Sequence, residues 1–211
     1  MLGKLLREAA CMMLFAVFAF GLVSLTLAAP IKLMLYGDSL MAGLGLPAED
    51  GFAAQLRAAL KSDGIEVSII NASVSGDTSG AALQRLDWSL AEKPDAVLLG
   101  LGGNDMLRGL PPAAMADNLD AIVQRLTSEN VPVLLLGMRA SPSLGADYVE
   151  NFERVFSELA SKYDIALYPF FLEGVATNPS LNQPDGIHPN AKGVTVIVKG
   201  LLPSVKQLLS P

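Results

Sequence analysis

From residue 30 onward the chain alternates short, almost continuously apolar runs with longer stretches in which apolar residues recur at helical spacing. The short runs are Ile31–Tyr36, Ile65–Ile70, Ala96–Leu101, Val133–Met138 and the weaker Ile165–Tyr168. Runs with no polar face are what parallel strands need when helices cover both sides of their sheet. The amphipathic stretches predict helices at about Phe52–Ser62, Ser79–Ala91, Pro112–Glu129, Ala146–Lys162 and Ala191–Leu209. Five strands alternating with helices predict an α/β fold, a three-layer α/β/α sandwich joined by right-handed crossovers. No repeat, low-complexity tract or long linker interrupts it, so residues 30–211 read as a single domain. Ligands of such sheets bind beyond the carboxyl ends of the strands. Here those ends are followed by Gly37–Gly51, Asn71–Thr78, Gly102–Pro111, Arg139–Gly145 and Asn178–Asn190.

Residues 1–29 follow a different pattern. Lys4 and Arg7 precede a run from Ala9 to Ala29 without a charged residue, which closes on the small residues Thr26, Ala28 and Ala29 before Pro30. A basic start, an apolar core and a small-residue exit predict a secretory signal peptide. The apolar run is 21 residues long, enough to span a bilayer, so a retained signal anchor is the alternative reading. Both put the remainder of the chain outside the cytoplasm, periplasmic or secreted in the first case and membrane-anchored facing the periplasm in the second. Membrane association would come only through this segment. Its removal also takes away the sole cysteine, Cys11.

The chain carries 15 basic and 21 acidic residues, for a net charge of −6, and loss of Lys4, Arg7 and Glu8 leaves it more acidic still. An acidic domain with no basic cluster is a poor fit to nucleic acid. A zinc hydrolase is excluded by supply, because one histidine and no mature cysteine cannot furnish the ligands. Gly43-Leu44-Gly45-Leu46-Pro47-Ala48 imitates a dinucleotide fingerprint, but it starts well after the first strand and contains a proline. No Gly-x-Ser-x-Gly elbow occurs. We therefore expect neither metal nor organic cofactor.

The lone histidine, His188, stands in the loop Asp185-Gly186-Ile187-His188-Pro189. An aspartate three residues before a histidine can fold back onto the imidazole Nδ1–H, fix its tautomer and stabilise the imidazolium. Ser39 follows the first strand in Gly37-Asp38-Ser39-Leu40, where a hydroxyl would project over the sheet edge at the start of a helical turn. The same serine would also suit an N-cap. Asp38, pointing away from its neighbour, reads as a structural hydrogen-bonding residue. Gly76, in Asn71–Thr78, offers an unobstructed backbone N–H, and Asn104, in Gly102-Gly103-Asn104-Asp105, offers an amide. Each alone is an ordinary turn residue. Together they put a nucleophile, oxyanion donors and an Asp–His pair on one predicted sheet edge. The non-enzyme alternative is an exported binding domain that keeps the fold without turnover.

These blocks, in this order and spacing, resemble the SGNH (GDSL) hydrolases from Ile31 to about Val198. Within that family the stretch Leu101–Asp105 followed by Leu107-Arg108-Gly109 is similar to the bacterial multifunctional thioesterases, arylesterases and lysophospholipases. Met106 stands where that branch implies a smaller residue. The resemblance implies the sheet order 2-1-3-4-5 (flavodoxin-like) and a triad of Ser39, His188 and Asp185. It further implies an oxyanion hole from the N–H groups of Ser39 and Gly76 and the Asn104 amide, and a small-molecule acyl ester or thioester as substrate. Leu44, Met106, Leu107, Leu110 and Ile187 on the edge loops are candidate acyl contacts, with Leu46 and Leu144 nearby. Gly37–Gly51 holds no aromatic residue, and Trp88 falls in a predicted helix away from the edge. That favours an acyl chain over the alternative of a carbohydrate acetyl ester.

Overall fold

A computed structural model of the protein describes residues 29–210. The predicted signal segment, residues 1–29, lies outside them except for its last residue. The five strands are β1 (Ile31–Gly37), β2 (Val67–Asn71), β3 (Ala96–Gly100), β4 (Val133–Leu136) and β5 (Ala166–Tyr168). They form one sheet in the order β2-β1-β3-β4-β5, parallel at every pairing. The helices are α1 (Ser39–Ala42), α2 (Phe52–Ser62), α3 (Ser79–Leu90), α4 (Gly103–Leu107), α5 (Pro112–Ser128), α6 (Ala146–Tyr163) and α7 (Ala191–Leu208). Helices α2 and α7 pack together on one face of the sheet, and α3, α5 and α6 on the other. The α/β sandwich and strand order expected from the sequence are those observed.

The central strands are buried on both faces, as their unbroken apolar runs require: Leu33–Tyr36, Val97–Leu99 and Leu134–Leu136 are fully inaccessible. Phe152 and Phe156 of α6 meet edge to face with ring centroids 5.7 Å apart, and Phe52 of α2 does the same with Phe171 at 5.3 Å. Among the described residues no buried side-chain nitrogen or oxygen lacks a hydrogen-bond partner. None of the described helices is long and apolar enough to cross a membrane.

Two boundaries differ from the expected ones for physical reasons. The β2 run begins at Ile65 in sequence but at Val67 in space. The Ile65 N–H is still spent on the Leu60 carbonyl at the end of α2 (2.9 Å), so the chain must leave that turn before it can pair with β1. The loop after β3 holds the short helix α4, which begins where Gly102 takes a positive φ of 108°.

One close approach shapes the carboxyl edge. Gly37 and Gly100 are partners across β1 and β3. A Cβ at Gly37 would lie 2.7 Å from the Gly100 carbonyl oxygen, and one at Gly100 would lie 2.6 Å from the Met41 sulfur. The missing side chains leave a seat for Met41, which is 1% exposed, and so let α1 lie down on the edge of the sheet.

Candidate active site

Ser39 is the first residue of α1 and is 8% exposed. The N-cap is Asp38, whose Oδ1 accepts from the Leu40 N–H at 3.0 Å. With the capping taken over by Asp38, the Ser39 hydroxyl is free for another partner. That partner is His188: Oγ and Nε2 are 2.8 Å apart. On the far side of the ring, His188 Nδ1 and Asp185 Oδ2 are 2.6 Å apart. With the Nδ1 proton donated to Asp185, Nε2 is the acceptor facing the serine. The structure thus brings the three predicted residues into one hydrogen-bonded chain.

The two nearby carboxylates sit in opposite environments. Asp185 Oδ1 accepts the backbone N–H groups of His188 (3.0 Å) and Ile187 (2.9 Å), and its side chain is 44% exposed. Those N–H groups, with the imidazole, hold its carboxyl down at about 2. Asp38 is 3% exposed; burial pushes its carboxyl up to about 6, against the opposing pull of the Leu40 N–H. Its Oδ2 accepts from the Asn104 side-chain amide at 3.3 Å. One amide hydrogen of Asn104 is therefore engaged and the other is free. Asp38, a structural hydrogen-bonding residue as the sequence implies, bridges the Ser39 turn to the loop after β3.

Gly76 reaches the site at a φ of 88°, in the left-handed region that favours glycine. Its N–H, that of Ser39 and the free hydrogen of Asn104 come from three different loops that line one cleft. Asp105, beside Asn104 and 1% exposed, reaches across to α3 and accepts from the Ser79 N–H (2.8 Å) and hydroxyl (2.6 Å). The β2 and β3 loops are joined there through buried polar contacts.

The cleft has a volume of about 1050 Å³ and a mostly apolar wall. Leu44, Met106, Leu107 and Ile187 line it, as expected. Leu110 does not: its carbonyl accepts from the Tyr148 hydroxyl (2.9 Å), which holds this part of the loop against α6 instead. Leu46 and Leu144 likewise lie outside the lining. The sequence reading missed the wall formed by Met138, Val149, Phe170, Leu172 and Ala176. The segment after β5 carries no polar motif to draw attention to it. Phe170 puts an aromatic ring in the cleft, but the Arg139 guanidinium lies 4.7 Å from its centroid and covers one face. Trp88 is on α3, 80% exposed and not part of the lining. Among the described residues, no group of three or more His, Cys, Asp or Glu could hold a metal ion.

Comparison with known proteins identifies the family. The sequence model of the GDSL-like Lipase/Acylhydrolase family matches residues 35–196. The chain is similar to "Esterase TesA" of Pseudomonas aeruginosa, with 43% identity over 86% of this chain and 91% of that one. It is also similar to "Thioesterase 1/protease 1/lysophospholipase L1" of Escherichia coli K12, with 36% identity over 90% of each. The crystal structure of AlinE4, described as an SGNH-hydrolase family esterase, superposes with a TM-score of 0.74 at 44% identity, covering 88% of this chain and all of that one.

The environment of Asp38 makes a testable statement about pH. Its folded pKa lies above the unfolded value, so the native state binds this proton more tightly. Stability from this group is therefore greatest below about pH 4 and falls as pH rises through about 6. Asp38→Asn removes that dependence. Measured by urea unfolding, its stability relative to wild type should improve by roughly 2 kcal/mol between pH 4 and pH 8. Activity should fall about tenfold or more at the same time, because an amide cannot satisfy both Leu40 and Asn104 as acceptor. A stability difference that stays flat across that range would refute the buried-acid description.

Proposed function

Because this chain belongs to the GDSL-like lipase/acylhydrolase family, we propose that it is an exported serine esterase and thioesterase acting through Ser39, His188 and Asp185. The observation that carries the reading is the continuous hydrogen-bonded chain from Ser39 Oγ through His188 to Asp185 at the edge of an apolar cleft. In the proposed reaction His188 Nε2 takes the Ser39 proton as Oγ attacks the acyl carbonyl, and Asp185 stabilises the imidazolium. The oxyanion is held by the N–H groups of Ser39 and Gly76 and by the Asn104 amide hydrogen not given to Asp38. His188 then protonates the leaving alcohol or thiol, and a water activated by the same imidazole releases the acid.

Since the chain has no second imidazole, His188→Ala and Ser39→Ala should each lower kcat by roughly 10⁴-fold or more, with Asp185→Asn milder. Asn104→Ala should lower kcat by about 10²–10³-fold with KM little changed, since its donor matters most in the transition state. Hydrolysis of p-nitrophenyl butyrate and labelling of Ser39 by a fluorophosphonate measure both. A tenth of wild-type activity surviving in His188→Ala would remove His188 as the base.

The substrate we propose is an aliphatic acyl ester or thioester, aryl esters and lysophospholipids included. The aliphatic lining formed by Leu44, Met106, Leu107, Leu172 and Ile187 supports this. A carbohydrate acetyl ester would call for a free aromatic face, and the one phenyl ring lining the cleft, Phe170, has one of its two faces covered by Arg139. Each acyl methylene fully buried contributes up to ~0.8 kcal/mol. Lengthening a p-nitrophenyl ester from acetyl to octanoyl should then raise kcat/KM by about 10–10³-fold, allowing for incomplete burial. A profile that falls beyond acetate, with good turnover of acetylated xylan, would favour the carbohydrate ester.

Export rests on the pattern of residues 1–29. Cell fractionation should find the active protein in the periplasm or medium with an N-terminus near Ala29 or Pro30. Full-length mass in the membrane fraction would instead support the signal anchor.

A further inference from the structure

One charged group inside the domain is left without a part in the proposed chemistry. Arg85 projects from the middle of α3, where a basic residue normally faces water. Its side chain is only 19% exposed, and its guanidinium is occupied on three sides. Nε donates to Asp77 Oδ2 at 2.6 Å, Nη1 to the Ala72 carbonyl at 2.5 Å and Nη2 to the Gly37 carbonyl at 3.3 Å. Its face lies 4.3 Å from the centroid of the Tyr36 ring, and Tyr36 is itself fixed by donating its hydroxyl to the Ala82 carbonyl at 2.5 Å. Asp77 is as enclosed as its partner, with 14% of its side chain exposed.

The identity of the three acceptors matters more than their number. Gly37 lies two residues before Ser39, Asp77 directly follows Gly76, and Ala72 begins the loop that carries Gly76. One rigid, planar cation therefore grips both the turn that presents the Ser39 N–H and the loop that presents the Gly76 N–H. The helix from which it reaches is itself anchored: Thr78 caps α3 through the Ala81 N–H (3.3 Å), and Asp105 holds Ser79. A backbone contact, Val74 N–H to the Gly37 carbonyl at 3.0 Å, joins the same two loops, so Arg85 refines an existing junction. On the outer side of the Gly76 peptide, Arg108 Nη2 donates to the Gly76 carbonyl at 2.7 Å.

We infer that Arg85 is a positioning residue that sets the separation and aim of the two backbone oxyanion donors, Ser39 N–H and Gly76 N–H. It touches neither substrate nor reacting atoms. The role follows from shape as well as charge, because a guanidinium fork can hold three acceptors in one plane while an ammonium cannot hold them in that geometry. The inference rests on the reading of Ser39 as nucleophile.

The deciding variant is Arg85→Lys, which keeps the ion pair with Asp77 in reach and loses the fork. With p-nitrophenyl butyrate we expect kcat to fall by about 10–100-fold and KM to stay within about threefold. The deficit should be equal on acetyl and octanoyl esters, since it belongs to the oxyanion and not to the acyl cleft. Phosphonylation of Ser39 by a fluorophosphonate, which develops the same charge, should slow in parallel. Arg85→Lys with kcat within about threefold of wild type, or with its loss confined to KM, overturns the inference. If that variant does not fold, Asp77→Asn decides: it preserves the loop's shape and weakens only the grip on Nε. A fall in kcat of about threefold or more at constant KM supports the role, and unchanged kcat overturns it. Ser39→Ala is run alongside. An active Ser39→Ala sinks the functional reading and the positioning role together, whereas an inactive Ser39→Ala beside a fully active Arg85→Lys sinks the positioning role alone.

Discussion

Two glycines face each other at the carboxyl ends of the central strands, Gly37 on β1 and Gly100 on β3, and the turn that carries Ser39 rests on them. Any side chain at either position would meet the Met41 sulfur or the opposing strand. The consequence is reach. With Met41 sunk into that seat, α1 lies close enough to the neighbouring loop for Asp38 to accept from Asn104. The oxyanion donors proposed from the β1 and β3 loops can then face the same point. A larger residue in the seat would raise the turn, and the hydrogen bonds that depend on its height would lengthen together. The close approach of two backbones thus underlies the polar contacts that the Ser39 turn makes with its neighbouring loop.

The proposed chemistry then depends on keeping two carboxylates different. Asp185 is solvated and accepts two backbone N–H groups besides the imidazole, so it stays anionic where the proposed reaction forms an imidazolium. Asp38 is buried with few donors, and its charge is costly there. The environments of the two acids push their titrations apart. Only the exposed one is suited to the role proposed for it beside the imidazole. The buried one is suited to hold an amide still.

Much of this is legible in the sequence. Near-continuous apolar runs located the strands, because a doubly covered parallel sheet leaves no polar face to disguise them. Ser39, Gly76, Asn104, Asp185 and His188 are legible as candidates because each stands in a polar, glycine-containing segment after a strand. What stayed hidden shares a different physics. Ser39 could be taken for an N-cap because sequence cannot tell which of two adjacent polar residues turns inward; Asp38 does. The wall from Phe170 to Ala176 is apolar in an apolar protein and looks like ordinary core. Leu110 was misassigned because a loop leucine packs wherever its backbone is tied, here to Tyr148. Arg85 is the clearest case: on a helix a lone arginine reads as a solvated face, and only the fold reveals that three acceptors converge on it.

The loop of His188 poses a last requirement, since it must be as well fixed as the sheet without belonging to it. Among the described residues there is no cysteine to staple it, and amide side chains hold it instead. Asn182, 7% exposed, donates to the Val175 and Asn178 carbonyls at 2.8 Å each. Gln183 donates its amide to the Leu44 (2.8 Å) and Pro189 (3.0 Å) carbonyls, joining the histidine loop to the loop of Ser39, while its backbone N–H meets the His188 carbonyl at 2.7 Å. Asn190 caps α7 through the Lys192 and Gly193 N–H groups and donates to Ser180 and Asn182 behind it. Amides neither titrate nor change oxidation state over conditions in which the protein stays folded. A loop held by such groups keeps the His188 imidazole at its distance from Ser39 across changes of pH or redox potential in its surroundings.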